Sequence, residues 1–245
     1  DLHEGYVKQI VGETFKDGSK PQTNFISNHS PSWFAKTYLE DGFKDGHIIK
    51  LGDGNDNAAK EALSVSPNTF QIGGGITLEN AEQWLEAGAS AVIITSWLFT
   101  NGQIDEMKLH KLVKAIGKEH IVIDLSCRKK NGIYYVVADR WQTYTNTIVN
   151  ADTLHELSNS CSEFLIHAVD VEGLKSGIDS NIIDILSSHS PISSVYAGGI
   201  QSIEDLEYIQ KIGKNQIDVT IGSSLDLFGG NLEYEKITNF FNQKL

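Results

Sequence analysis

The sequence predicts an α/β protein of the (β/α)8 barrel class, built from two similar half-barrels. Three observations predict it. Short runs rich in Ile and Val alternate with longer segments of helical periodicity. Three motifs recur in the same order about half a chain apart. No G-x-G-x-x-G turn follows the opening segment, which reads LHEGYVKQI, so an open dinucleotide-binding sheet is disfavoured.

The strand candidates are HIIKL (47–51), FQIGG (70–74), AVIIT (91–95), IVIDL (121–125), FLIHAV (164–169), SVYAG (194–198) and VTIG (219–222). They are short, apolar and bounded by Gly, Thr, Ser or Asp, as strands buried on both faces are. Residues 77–87 place Leu78, Ala81, Trp84 and Leu85 on one helical face. In SIEDLEYIQKI, Ser202 and Asp205 stand at capping-box spacing ahead of the stripe Ile203, Leu206 and Ile209. Residues 105–117, 151–159, 181–189 and 232–242 carry further helical patterns. Strand–helix alternation at this pitch means parallel strands with crossover helices. An eighth strand would end at Asp1, its body lying ahead of the first residue. The chain is thus read as one barrel over 1–245, with halves of about 1–118 and 119–245.

The repeat supports the halves. Asp1-Leu2 recurs as Asp124-Leu125, Gly73-Gly74-Gly75-Ile76 as Ala197-Gly198-Gly199-Ile200, and ITSWLF (94–99) loosely as IGSSL (221–225). A period this long is not that of a solenoid.

Composition narrows the function classes. A net charge of −12 disfavours a broad nucleic-acid or anionic-membrane surface, since both need basic patches. No apolar run is long enough for a spanning helix. Two cysteines, Cys127 and Cys161, lie at no metal-binding spacing and suit a reducing compartment. The polar opening DLHEGYVKQ does not resemble a signal peptide, and a cytoplasmic location is expected. The expected partner is a small molecule, with no nucleic acid and no membrane, and the protein is expected to act as a monomer.

In parallel barrels the chemistry sits at the carboxyl ends of the strands, where each repeated motif falls. Each glycine turn precedes a helix, so it can bring backbone N–H groups up to a phosphate. Ser96 and Ser223 end the next strand in each half and could add hydroxyl donors. Two such cradles imply an elongated, bis-phosphorylated ligand. The plainer alternative is that the glycines only make tight turns. Asp1 and Asp124 would end strands one and five, where separated carboxylates can take acid and base roles. Alternatively each pairs with a neighbour such as Lys8 or Arg128. His167 lies at the end of strand six, with Asp170 and Glu172 beyond it. After strand five, Asn131-Gly132 signals a hairpin with the strand IYYVVA. Trp141 follows, either stacking on a heteroaromatic ring or packing the hairpin. Cys127 is a weaker candidate nucleophile, since no activating base can be assigned to it.

These residues resemble a known family. Asp1, Leu2, Gly5, Val7 and Lys8, the turn Gly73-Gly74-Gly75-Ile76, Asp124, and Ala197-Gly198-Gly199-Ile200 together resemble the histidine-biosynthesis barrels. The nearer likeness is to the isomerases acting on phosphoribosylformimino-5-aminoimidazole carboxamide ribotide, and IVIDLSCRK, HAVDVEGL and GSSLDLFGGNL look like their fungal branch. The resemblance spans the whole chain. It implies a barrel of two halves with a phosphate site in each, and an Amadori rearrangement of an aminoaldose to an aminoketose that needs no cofactor or metal. It implies Asp1 and Asp124 as catalytic, with His167 and Glu172 as further candidates for the acid. Gly75 and its neighbour Gly74 correspond to one phosphate site, and Gly199 and Ser223 to the other; Ser96, Gly173, Gly177, Gly198 and Gly222 are further candidates for binding substrate or phosphate. Trp141 corresponds to a Trp that covers the substrate ring. The sequence departs from the bacterial pattern: His167 replaces a Thr, Glu172 an Asp, Lys50 a second-strand Asp, and Arg140 a Gly. Two rival readings share the motifs: the cyclase subunit of imidazole glycerol phosphate synthase, and a non-catalytic phosphosugar-binding barrel.

Overall fold

The computed structural model describes residues 1–10, 23–139, 141–171, 177–214 and 216–242. The chain forms two compact units, one of residues 1–93 with 222–245, the other of residues 94–221.

The first unit opens with a small antiparallel sheet, β1 (Leu2–His3), β2 (Tyr6–Ile10) and β3 (Thr23–Ile26), paired in that order. Helix α1 (Pro31–Glu40) starts where Ser30 accepts the N–H of Trp33 and Pro31 occupies the first turn. It buries Phe34 and Ala35. Parallel strands β4 (His47–Ile49), β5 (Gln71–Gly73) and β6 (Val92–Ile94) alternate with α2 (Asp56–Leu63) and α3 (Ala81–Glu86). Ile72, Val92, Ile93 and Ile94 are fully buried, as strands covered on both faces require.

The helix expected over 77–87 is shorter, beginning at Ala81. The cause is Asn80. Its amide accepts the N–H of Thr77 at 2.9 Å and donates to the Gly75 carbonyl at 2.9 Å, closing a turn where helix would otherwise begin. Leu78 therefore lies outside the helix.

The second unit starts with the ribbon β7 (Phe99–Thr100) and β8 (Gln103–Ile104), then α4 (Glu106–Ile116), capped by Asp105 on the Lys108 N–H. Strand β9 (Ile121–Asp124) leads into a three-stranded antiparallel sheet of β10 (Cys127–Lys130), β11 (Ile133–Ala138) and β12 (Thr143–Ile148). Asn131 and Gly132 both take positive φ at the expected hairpin turn. Then come α5 (Ala151–Leu157), β13 (Glu163–His167), α6 (Ser180–His189), β14 (Ser193–Ala197), α7 (Ile203–Gly213) and β15 (Ile217–Thr220). Strands β9, β13, β14 and β15 are parallel neighbours in that order. The capping box at α7 forms as its spacing predicts: Ser202 Oγ accepts the Asp205 N–H, and Asp205 accepts the Ser202 N–H, both at 3.2 Å. The chain then returns to the first unit, ending its described part with α8 (Tyr234–Asn242).

The seven strands expected from sequence all form, each within a few residues of its expected limits.

Candidate active site

The two glycine turns repeat in geometry as they do in sequence. Gly74 and Gly75 have φ of 86° and 69°; Gly198 and Gly199 have φ of 125° and 72°. In the first unit the Lys50 N–H donates to the Gly73 carbonyl at 3.0 Å. In the second the Ala168 N–H donates to the Ala197 carbonyl at 2.8 Å. Lys50 directly follows β4, and Ala168 directly follows β13. A Cβ on Gly74 would run into the Lys50 carbonyl, and one on Gly198 would lie 2.8 Å from the Ala168 carbonyl. Only glycine fits at either place, in left-handed backbone and against a neighbouring carbonyl. Gly75 is exposed and a Cβ there would meet nothing, so the outer face of that turn is open.

In the second unit the ends of two parallel strands bring candidate residues together. Asp124 ends β9 and is half-buried. Ser126 donates its hydroxyl to Asp124 Oδ1 at 2.8 Å. Burial raises the pKa of this carboxyl, while the facing His167 and the bond from Ser126 pull it the other way. His167 is the last residue of β13, two beyond Leu165, the partner of Asp124 in the parallel register. The Trp141 ring meets the His167 ring edge-on, with centroids 5.0 Å apart. Asp139 and Trp141 both hold positive φ, 51° and 66°, an unfavourable conformation for residues with side chains. Ser96 anchors this turn by accepting the Asp139 N–H at 2.9 Å. Ser96 therefore has a structural task that its expected phosphate role did not suggest, though its hydroxyl proton can still be donated.

Asp1 lies in the first unit and is exposed. Its carbonyl accepts the Lys8 N–H at 3.0 Å. Leu2 bridges Lys50 in parallel, and the Leu51 N–H donates to the Leu2 carbonyl at 2.8 Å, so this segment runs beside the end of β4. The buried amide of Asn55 accepts the Gly5 N–H at 3.0 Å and donates to the Gly52 carbonyl at 2.9 Å. A side chain buried this fully is a positioning device that sequence reading passed over. Gly222 is exposed in the same unit, and a Cβ there would lie 3.8 Å from Gln9 Oε1; Ser223 is half-buried.

The pairings considered for the two aspartates go elsewhere. Lys8 Nζ pairs with Glu4, and Arg128 Nε lies 3.7 Å from Asp170. Lys50 lays its ammonium 3.9 Å over the Trp84 ring and pairs with Asp56 at 2.9 Å, so its charge serves the packing of α2 and α3. Cys127 is 1% exposed, and its thiol is pushed well up by burial and by Asp179, Asp124 and Asp170. That leaves no thiolate for nucleophilic attack. Gly177 has φ of 87°, and its carbonyl stands against Gly199. Glu172, Gly173 and Arg140 lie outside the described residues.

Parallel strands followed by helices, glycine turns at strand ends, and a desolvated carboxyl beside an imidazole define a parallel α/β protein with its candidate groups at the carboxyl ends of its strands. The chain matches the family model for histidine biosynthesis proteins over residues 1–232 and belongs to that family. The fold class is the (β/α)8 barrel that the sequence predicts. A chloroplastic protein of Medicago truncatula is 49% identical over all of this chain and 80% of its own length. Proteins of Saccharomyces cerevisiae (48% identical, 95% of this chain, 92% of theirs) and Yarrowia lipolytica (46%, 94% and 91%) are similar. All three are named 1-(5-phosphoribosyl)-5-((5-phosphoribosylamino)methylideneamino)imidazole-4-carboxamide isomerase. The cyclase reading is not favoured by these likenesses.

Proposed function

We propose that this chain catalyses the aldose–ketose isomerisation for which those relatives are named. The observation that carries the mechanism is the cluster at the end of β9 and β13: Asp124 desolvated, held by Ser126, and facing His167 with Trp141 against it. Burial favours the protonated form of this carboxyl, which suits it to give a proton.

Asp124 donates a proton to the ring oxygen of the aminoaldose ribose. The C1′–O bond breaks, leaving a protonated imine at C1′. Asp1 removes the proton from C2′, and the C–H electron pair forms an enolamine. Protonation at C1′ and loss of the hydroxyl proton at C2′ give the aminoketose. Atoms and electrons balance within the substrate, so no external oxidant or reductant enters. His167 and Glu172 are the alternative donors. Gly74, Gly75 and Ser96 hold one phosphate; Gly173, Gly177, Gly198, Gly199, Gly222 and Ser223 hold the other. Trp141 covers the heteroaromatic ring. Anchoring at both ends converts remote binding energy into placement of C1′ and C2′. The enzyme acts as a monomer in the cytoplasm, where both buried free thiols stay reduced.

The test is turnover of the aminoaldose ribotide, read by coupling to a glutaminase-free cyclase that consumes only the ketose. Asp1→Asn and Asp124→Asn should each lower kcat by about 10²–10⁴-fold with KM little changed. Substrate binding without ketose formation by the unaltered protein would leave the non-catalytic barrel as the reading.

A further inference from the structure

The second unit holds a polar network around two buried tyrosines that the mechanism above does not use. Tyr134 on β11 is 4% exposed and donates its hydroxyl to both carboxylate oxygens of Asp179, each at 2.7 Å. The Asn181 side chain bonds the same hydroxyl. Asp179 in turn caps α6, accepting the N–H of Asn181 and of Ile182. Its own N–H donates to the hydroxyl of Tyr196 at 2.8 Å. Tyr196 is fully buried on β14, directly ahead of Ala197-Gly198-Gly199. Asp179 follows Gly177 by two residues, and the Gly177 carbonyl stands against Gly199. One carboxylate thus ties the antiparallel sheet, the start of α6 and the glycine-bearing strand into one piece.

Asp170 is tied to the same sheet. Asp170 accepts the Lys129 N–H at 2.7 Å, and Lys129 and Tyr134 are cross-strand partners. Adjacent positions of one hairpin therefore hold Asp170 and Asp179.

We propose that Tyr134 and Asp179 are positioning residues: their hydrogen bond latches Gly177 against Gly199 in the shape that receives a substrate phosphate. This rests on the reading that these glycines bind phosphate. The phosphate is met by backbone N–H groups, which act at full strength only when the turn is already ordered. A charge-assisted bond from a buried hydroxyl is the means of ordering it.

The experiment compares Tyr134→Phe, Asp179→Asn, the double variant, Tyr135→Phe and Gly199→Ala. For each, KM, kcat and competitive inhibition by inorganic phosphate are measured, with folded content from circular dichroism. Tyr134→Phe should raise KM and weaken phosphate inhibition about 5–20-fold, as loss of a bond to a charged group does. Its kcat should hold within about twofold, since Tyr134 touches no reacting atom. The double variant should be no worse than the worse single, because the two side chains share one interaction. Tyr135→Phe, on the same strand, should match the unaltered protein. If Gly199→Ala raises KM and Tyr134→Phe does not, the latch is overturned and the phosphate turn stands. If Tyr134→Phe only lowers kcat in step with folded content, its role is structural and the latch is likewise overturned. If Gly199→Ala leaves KM and phosphate inhibition unchanged, the phosphate reading of this turn falls and the latch with it.

Discussion

At the residue scale, Asp124 is pulled in two directions. Burial raises its pKa, and His167 and Ser126 oppose the rise. If Asp124 is the acid, activity falls as pH rises through its folded pKa. His167→Gln removes the imidazole that pulls this pKa down, so the carboxyl should stay protonated to higher pH. The alkaline limb of kcat/KM should then move upward. A limb that stays put or moves down would detach His167 from the acid. Stability has the matching sign. The folded state of Asp124 binds its proton more tightly than the unfolded chain, so stability is lost as pH rises from the ordinary value of 3.8 towards the folded value. Asp124→Asn should therefore melt higher than the unaltered protein at neutral pH. The difference should shrink as pH falls below 4. Loss of turnover with a gain in melting temperature would mark a group held charged-averse for its chemistry.

At the element scale, each glycine turn is set by groups around it rather than by glycine alone. Asn80 braces the first turn through the Gly75 carbonyl and the Thr77 N–H. Asn80→Ala leaves both groups without that partner. KM should rise about 3–10-fold if this turn receives a phosphate, as loss of ordering by one or two hydrogen bonds implies. Ser202→Ala is the contrasting case. It removes the cap of α7 and should cost about 1 kcal/mol, read as a lower urea midpoint with an unchanged slope. The capping box was legible because its signal lies within four residues of sequence. The Asn80 brace was not, since Asn is a common turn residue and nothing local says which carbonyl it will meet. Helices α1 and α2 differ in how far their sequence signals them. The start of α1 carries Ser30-Pro31, a readable signal, whereas α2 buries Ala58, Ala59, Ala62 and Leu63, a face too small to stand out.

At the scale of the whole molecule, the proposal is a protein of net charge −12 that binds a ligand with two phosphates. Attraction by overall charge does not supply that affinity; on this proposal local donors at the two glycine turns supply it. A ligand with both phosphates should then stabilise the fold far more than one with a single phosphate. At about 100 times its Kd, the aminoaldose ribotide should add about 2.7 kcal/mol, a rise of several degrees in melting temperature. Ribose 5-phosphate at the same concentration should give little. Equal shifts for the two would mean that only one turn binds phosphate. No described helix is long and apolar enough to cross a membrane.

The sequence by itself determined the strand–helix alternation, the internal repeat, the paired glycine turns and Asp124 at a strand's end. Each rests on a short-range pattern: apolar runs of strand length, glycines where backbone must turn left-handed, capping residues a fixed distance from a helix. Tertiary structure decided which groups those residues meet. It put Trp141 edge-on to His167, gave Arg128 to Asp170 instead of Asp124, and set Lys50 on Trp84. It also drew Tyr134, Asp179 and Tyr196 into one network from three separate stretches of chain. Contacts of that kind join residues tens of positions apart. Their partners are fixed by how strands align and by which polar groups burial leaves in need of a hydrogen bond, and neither is written in any local stretch of sequence.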